Sequence, residues 1–160
     1  MRTVYLETTI VSYYVARPSR DLVIAARQQL TREWWDEGRR NDRVVISPVV
    51  LDEAREGDVA VAARRMRLLA DMEVLPESPA IAPLAVALGR AIHLPATKSA
   101  DAFHLAYAIA CRLDCLLTWN CAHFVNAATR RRLYDYCRQH DLWFPVVCTP
   151  EEMIGGKWRL

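Results

Sequence analysis

Hydrophobic positions along the chain fall into two periods. Short apolar runs of strand length recur at 3–6 (TVYL), 43–46 (closing on VVI), 73–75, 115–118 (CLLT) and 146–148. They are rich in β-branched and aromatic residues and end at turn-forming positions, which predicts strands. Between them the apolar residues repeat at helical spacing, as in 21–35, where Leu22, Ile24, Ala25, Leu30 and Trp34 mark a long amphipathic helix. Further helices are predicted over 59–72, 80–92 and 127–140. The stretch 98–124 is the densest. Asp101 opens a run (Phe103, Leu105, Ala106, Tyr107, Ala108, Ile109, Ala110) that is apolar on nearly every side, and the strand after it is broken by Trp119, Asn120 and Cys121. A helix of that kind lies packed against a sheet.

Strands alternating with helices predict an α/β fold: a three-layer sandwich with a mostly parallel central sheet flanked by helices. The first strand is expected at the centre and the last at an edge, because Pro145 just before it cannot donate to a ladder. In a β-α-β unit the helix starts above the carboxyl end of one strand and returns the chain so that the next strand ends at the same edge. Asp101 and Asn120 are therefore expected side by side at the carboxyl edge, where open α/β sheets place their sites. Glu7 falls at the end of the first strand, with Thr8 and Thr9 starting a helix. Asp52, Glu53 and Glu56 are expected in the opening turns of the helix that follows Ser47 and Pro48, over the same edge.

Composition narrows the class more than the function. With 160 residues, 52% hydrophobic, 25% charged and five glycines, residues 1–150 read as a single domain and 151–160 as a C-terminal tail. No apolar run reaches the roughly 20 residues of a membrane span, and no signal-peptide pattern is seen, so a cytoplasmic location is expected. Five scattered cysteines suit reduced thiols better than a disulfide framework. A net charge of +2 decides little. Local clusters matter more: Arg39 and Arg40, Arg64, Arg65 and Arg67, then Arg130, Arg131, Arg132 and Arg138 can present basic surface to an anionic polymer, the last group making either a solvated face or a track for RNA. Trp34 and Trp35 are adjacent, and the expectation is that they cannot both face one core, leaving a surface for a dimer or a protein partner.

The chemistry rests on convergence. Glu7, Glu53 and Asp101 come from three separate elements to one edge, with Asn120 as a neutral fourth member. Gathered carboxylates repel one another and lose hydration, so a cation in the gap is the natural reason to keep them together. An all-oxygen set of carboxylates, an amide and water suits Mg²⁺ or Mn²⁺, and the matching reaction is metal-assisted attack of water on a phosphodiester. Each residue also has a structural reading. Asp101 can serve the helix dipole behind an N-cap at Ser99, Glu53 can do the same for its own helix, and Asn120 can simply make a turn. Thr8 and Thr118 are candidates to hold water or phosphate, although strand-end hydroxyls mostly cap backbone groups. His104 and His123 raise a zinc or histidine-base reading, which the lack of any paired C-x-x-C motif weakens.

The motifs YLETT, the helix start from Ser47 to Glu53, SADAFHLAYA and LLTWNCAHF together resemble a PIN domain of the VapC toxin type, from Val4 to about Val147. The resemblance implies a metal-dependent ribonuclease, a cognate antitoxin that blocks the site, and a homodimer. By position it implies Glu7, Glu53 and Asp101 as metal ligands, Glu7 standing where the family has Asp and Asn120 where many members have another Asp. One departure lengthens a ligand and the other removes a charge. The rival readings are a PIN-like module that binds RNA or protein without cutting, and a small phosphatase or nucleotide-binding domain. No G-x-x-x-x-G-K loop supports the last.

Overall fold

The central strand explains the rest of the architecture. In the computed structural model, which describes residues 1–95, 98–124 and 126–155, β1 (Arg2–Leu6) is fully buried from Val4 onward. A strand covered on both faces has no need of polar alternation. It pairs in parallel with β2 (Asp42–Ile46) on one side and β4 (Cys115–Leu117) on the other. The two-residue β3 (Glu73–Val74) lies beyond β2, and β5 (Val146–Cys148) beyond β4 as the edge strand. The order is β3-β2-β1-β4-β5 with every pairing parallel. Asp114 pins the β1–β4 register by accepting from both the Thr3 amide (2.7 Å) and the Thr3 hydroxyl (2.8 Å). Arg2 reaches Asp42 on the other side through two contacts of 2.9 and 3.1 Å.

The chain runs outward from β1 to β2 and β3, then crosses back to β4 and β5. Right-handed crossovers therefore put α1 (Thr8–Val15), α2 (Leu22–Asp36), α3 (Pro48–Arg55) and α4 (Val59–Leu69) on one face. They put α5 (Ile81–Ala91), α6 (Ser99–Ala110) and α7 (Ala127–Gln139) on the other. Packing agrees: α1 meets α2, α3 and α4, whereas α5 meets α6 and α7. Connections leave in opposite directions from β1 and β4, so the crevice above their carboxyl ends is the switch point where such sheets hold ligands.

Helix α2 departs from its predicted face. Leu22 is 86% exposed and Ile24 is also exposed, while the buried residues are Gln28, Thr31, Trp34 and Trp35. Thr31, in mid-helix, already accepts a hydrogen bond from the Trp119 indole beyond the end of β4 (2.7 Å), so the turns before it project past the sheet. The two tryptophans correct the expectation of a partner surface: both are buried, Trp34 at 1% and Trp35 at 4% exposure. Adjacent helical residues lie about 100° apart, within the width of an apolar stripe. Trp34 enters the central core and Trp35 stacks obliquely on Tyr14 at 5.0 Å. Gly38 makes room, since a Cβ there would lie 3.0 Å from Trp34 Cδ1.

Helix α6 starts at Ser99 with Lys98 in the cap position, so Ser99 is not the N-cap that was expected. The five cysteines are free thiols. The chain closes on α8 (Pro150–Gly155), where Glu152 accepts from the Thr149 amide (2.9 Å) and Met153 is buried. Of the expected tail, residues 156–160 lie outside the described residues. No helix among the described residues is long and apolar enough to cross a membrane.

Candidate active site

Glu7 is the first residue after β1 and the residue before α1, with extended backbone and its amide bonded to the Leu117 carbonyl (3.1 Å). Its side chain is buried at the switch point. Two hydroxyls donate to Glu7 Oε2: Thr118 at the end of β4 (2.7 Å) and Thr9 in the first turn of α1. Both hydroxyls have their orientation forced. Thr9 Oγ1 accepts from the Trp119 amide (2.9 Å) and Thr118 Oγ1 from the Asn120 amide (2.9 Å), so each turns its own proton to the carboxylate. These contacts stitch the ends of β1 and β4 together around one charge.

Glu53 comes from the second turn of α3. Its Oε2 accepts from the Thr8 hydroxyl and from His104 Nε2 at 3.1 Å. His104 lies on α6 with 0% exposure, and its other nitrogen, Nδ1, meets the Tyr5 hydroxyl at 2.8 Å, which in turn meets Ser47 Oγ at 2.6 Å. A single buried chain of polar groups therefore runs Ser47, Tyr5, His104, Glu53, Thr8. Its hydroxyl protons can point either way, so both the neutral and the protonated imidazole find complete partners. Potential ligand atoms of Glu7, Glu53 and His104 all lie within 4.8 Å of one another, and this is the only such grouping among the described residues.

Electrostatics divides the two acids. Burial pushes the Glu7 carboxyl up from its ordinary value, partly offset by the charge of His104 and by the two threonine hydroxyls. Burial pushes Glu53 up as well, but the His104 contact and charge, the Thr8 hydroxyl and Lys98 outweigh it and hold Glu53 below its ordinary value. His104 loses basicity to burial and regains more from Glu53, Glu7 and Asp101, leaving it raised. The surroundings thus favour the charged imidazole between the two carboxylates.

Asp101, in the first turn of α6, forms a neighbouring group and lies outside that trio. Its Oδ2 accepts from His123 Nδ1 at 2.7 Å and from Asn120 Nδ2 at 3.2 Å. Asn120 Oδ1 accepts from the His123 amide (3.1 Å), which is the turn role foreseen for it. The expected proximity of Asp101 and Asn120 is present. Two other acids are not where the sequence put them. Glu56 ends α3 as its C-cap, and Asp52 is exposed and paired with Arg55 at 2.9 Å, because α3 begins at Pro48 and turns Glu53 alone inward. On α7, Arg130 pairs with Glu152 (3.1 Å) and Arg131 with Asp135 (2.8 Å). His104 is absent from the set of acids and amide read as the site. The signal was a histidine one turn after Asp101 inside an otherwise apolar helix: a buried imidazole must find partners, and the facing strand ends supply them.

No protein-family model and no curated protein matches the sequence. Solved structures that share the fold include two VapBC complexes. One is described as VapBC2 from Rickettsia felis bound to a DNA fragment from their promoter; it is 14% identical with a TM-score of 0.55 over 92% of this chain and 98% of that one. The other is described as VapBC-1 from nontypeable Haemophilus influenzae, 16% identical with a TM-score of 0.56 over 93% of this chain and 98% of that one. At these identities the likeness is one of fold.

Proposed function

We propose that the chain is a metal-dependent endoribonuclease of the toxin type, hydrolysing RNA phosphodiester bonds at the crevice above β1 and β4. The observation that carries the reading is the convergence of Glu7, Glu53 and His104 within 4.8 Å at the switch point of a parallel sheet, with Asp101 one turn before His104 on α6. Three elements supply these groups, and a fold gathers such groups at a cost unless they have a task. The fold shared with two VapBC structures supports the toxin assignment, and with it a protein antitoxin as partner; the proposed assembly is a homodimer.

The donor set fits Mg²⁺ or Mn²⁺. Among the described residues every protein hydrogen bond to Glu7 and Glu53 falls on Oε2, and every one to Asp101 falls on Oδ2. One oxygen of each carboxylate is left without a protein donor. Glu7, Glu53 and Asp101 would hold the ion, which when bound supplies positive charge to a phosphodiester oxygen and acidifies water at the site. The remaining work belongs to the chain. Thr9 and Thr118 fix the direction of Glu7, His104 and Thr8 that of Glu53, and His123 and Asn120 that of Asp101.

Asn120 favours a second reading, a PIN-like module that binds RNA or protein and cuts poorly. Its oxygen is taken by the His123 amide and its amino group is turned to Asp101, so it adds no ligand and no charge. Cleavage of a structured RNA pool by the purified chain in EDTA, Mg²⁺ and Mn²⁺ decides between them. Metal-dependent cleavage is expected, falling at least roughly 100-fold in Asp101→Asn and in Glu7→Gln while circular dichroism shows both folded. RNA that is bound but uncut, with cleavage gained on Asn120→Asp, supports the second reading. Full activity in the folded acid variants overturns the first.

A further inference from the structure

The basic helix α7 is a poor candidate to guide a polyanion, since two of its arginines are already paired with carboxylates. The opposite face of the molecule offers a better one. Thr8, Ser12 and Ala16 succeed one another at four-residue spacing along α1 and its C-cap, so they lie on one side of the helix. Thr8 is bonded to Glu53. One turn on, Arg65 of α4 donates to Ser12 Oγ at 3.4 Å and to the carbonyl of Glu56. Another turn on, Ala16, Arg17, Asp58, Ala60, Val61 and Arg64 line a pocket of about 400 Å³. From the Thr8 contact to this pocket the path along α1 is roughly 12 Å, eight residues of helical rise.

The three arginines of this strip differ from those of α7. None makes an ion pair with a carboxylate among the described residues, and the Nε atoms of Arg64 and Arg65 are buried without a hydrogen-bond partner. Arg17 is exposed and has no side-chain partner among the described residues. Asp58 is the one acid in the pocket, and its Oδ1 accepts the Val61 amide at the start of α4 (3.0 Å). Unpaired guanidinium groups in a row attract phosphates, and a groove that begins at carboxylates repels them. A polyanion can then lie with one phosphate at the acids only if positive charge holds its neighbours.

Resting on the ribonuclease reading, we propose that Arg65, Arg64 and Arg17 form a track for the backbone of single-stranded RNA, leading from the acid cluster along α1. Arg17 and Arg64 contact phosphates in the pocket, and Arg65 joins that pocket to the helix ends that carry Thr8 and Glu53. Contacts of this kind set affinity and its salt dependence and carry no sequence information.

The test is binding of a uniformly 2′-O-methylated single-stranded RNA in EDTA, read by fluorescence anisotropy across a salt series, so that cleavage plays no part. For Arg17→Gln/Arg64→Gln, with thermal melts confirming the fold, the slope of log affinity against log salt is expected to flatten by about 1.4, or 0.7 for each lost contact. Arg17→Glu, an exposed single change, is expected to weaken binding further. Arg131→Gln/Arg132→Gln on α7 is expected to move the slope by less than half as much. An unchanged slope in the double variant, absence of RNA binding by the wild type, or equal competition by polyglutamate, which points to an acidic protein as the occupant, would each overturn the track. Failure of the ribonuclease reading shows separately, as RNA left uncut in Mg²⁺ and Mn²⁺.

Discussion

His104 concentrates the physics of the site in one residue. Its raised value means that the folded state favours the charged imidazole, so its contribution to stability is complete below the ordinary histidine value of 6.5 and is lost as pH climbs through the folded value. Glu7, also raised, acts in the same sense from its ordinary 4.5 upward, because the fold holds that proton more tightly than the unfolded chain does. Glu53 is lowered and acts oppositely, contributing above 4.5 and losing its contribution as pH falls. Metal-free protein is therefore expected to lose thermal stability as pH rises above 6.5, and His104→Gln to flatten that decline. Melts across this range in EDTA check it; a variant with the wild-type slope would remove His104 from the linkage. The acids were legible in the sequence because strand ends and helix starts of a parallel sheet share an edge. The imidazole was not, because its role depends on Tyr5 and Ser47 from two other elements, and only their contact distances reveal the chain of partners.

Elements, by contrast, were legible nearly to their ends, since runs such as CLL and VVI admit little else. Facing was harder. The apolar positions of α2 suggested a stripe starting at Leu22, yet the sheet is shorter than the helix, and only the second half meets the core. Thr31 marks the division. Its hydroxyl accepts the buried Trp119 indole proton and donates to the Arg27 carbonyl (2.7 Å), tying α2 to the segment that carries Thr118 and Asn120. Thr31→Val keeps the shape and removes the acceptor, so it is expected to cost about 1–3 kcal/mol. Urea denaturation should show that loss, and RNA cleavage should fall with it, because Trp119 and Asn120 donate their amides to the hydroxyls that orient Glu7. Intact stability would mean that the indole finds water instead.

At the scale of the whole molecule, gathered carboxylates repel one another, and the metal-dependent reading predicts that a divalent cation offsets that repulsion. Ligands that bind only the folded state raise its stability in proportion to RT ln(1 + [L]/Kd). Mn²⁺, which prefers nitrogen and oxygen donors more strongly than Mg²⁺, is expected to raise the melting temperature at lower concentration than Mg²⁺. Glu7→Gln is expected to lose most of that gain, and a metal-independent melting temperature in the wild type would show that the acids hold no ion. The three-layer sandwich was readable in advance because alternating strands and helices permit few other arrangements. The course of the proposed RNA track was not, because it depends on which arginines find carboxylates.

Thr118 bonds to Glu7 across 111 positions of sequence, and this separation has a consequence during synthesis. The chain grows from its amino end, so Glu7 leaves the ribosome with Thr9 close behind it and long before Thr118, its other hydroxyl partner, has been translated. Until β4 slides in beside it, β1 has only one neighbouring strand and its terminal carboxylate has half its partners. Under the ribonuclease reading proposed above, the nascent chain would therefore lack a complete site until β4 joins the sheet. A product terminated before roughly three quarters of the chain would lack it too, and the proposed partner would have a finished site to cover only after the sheet closes.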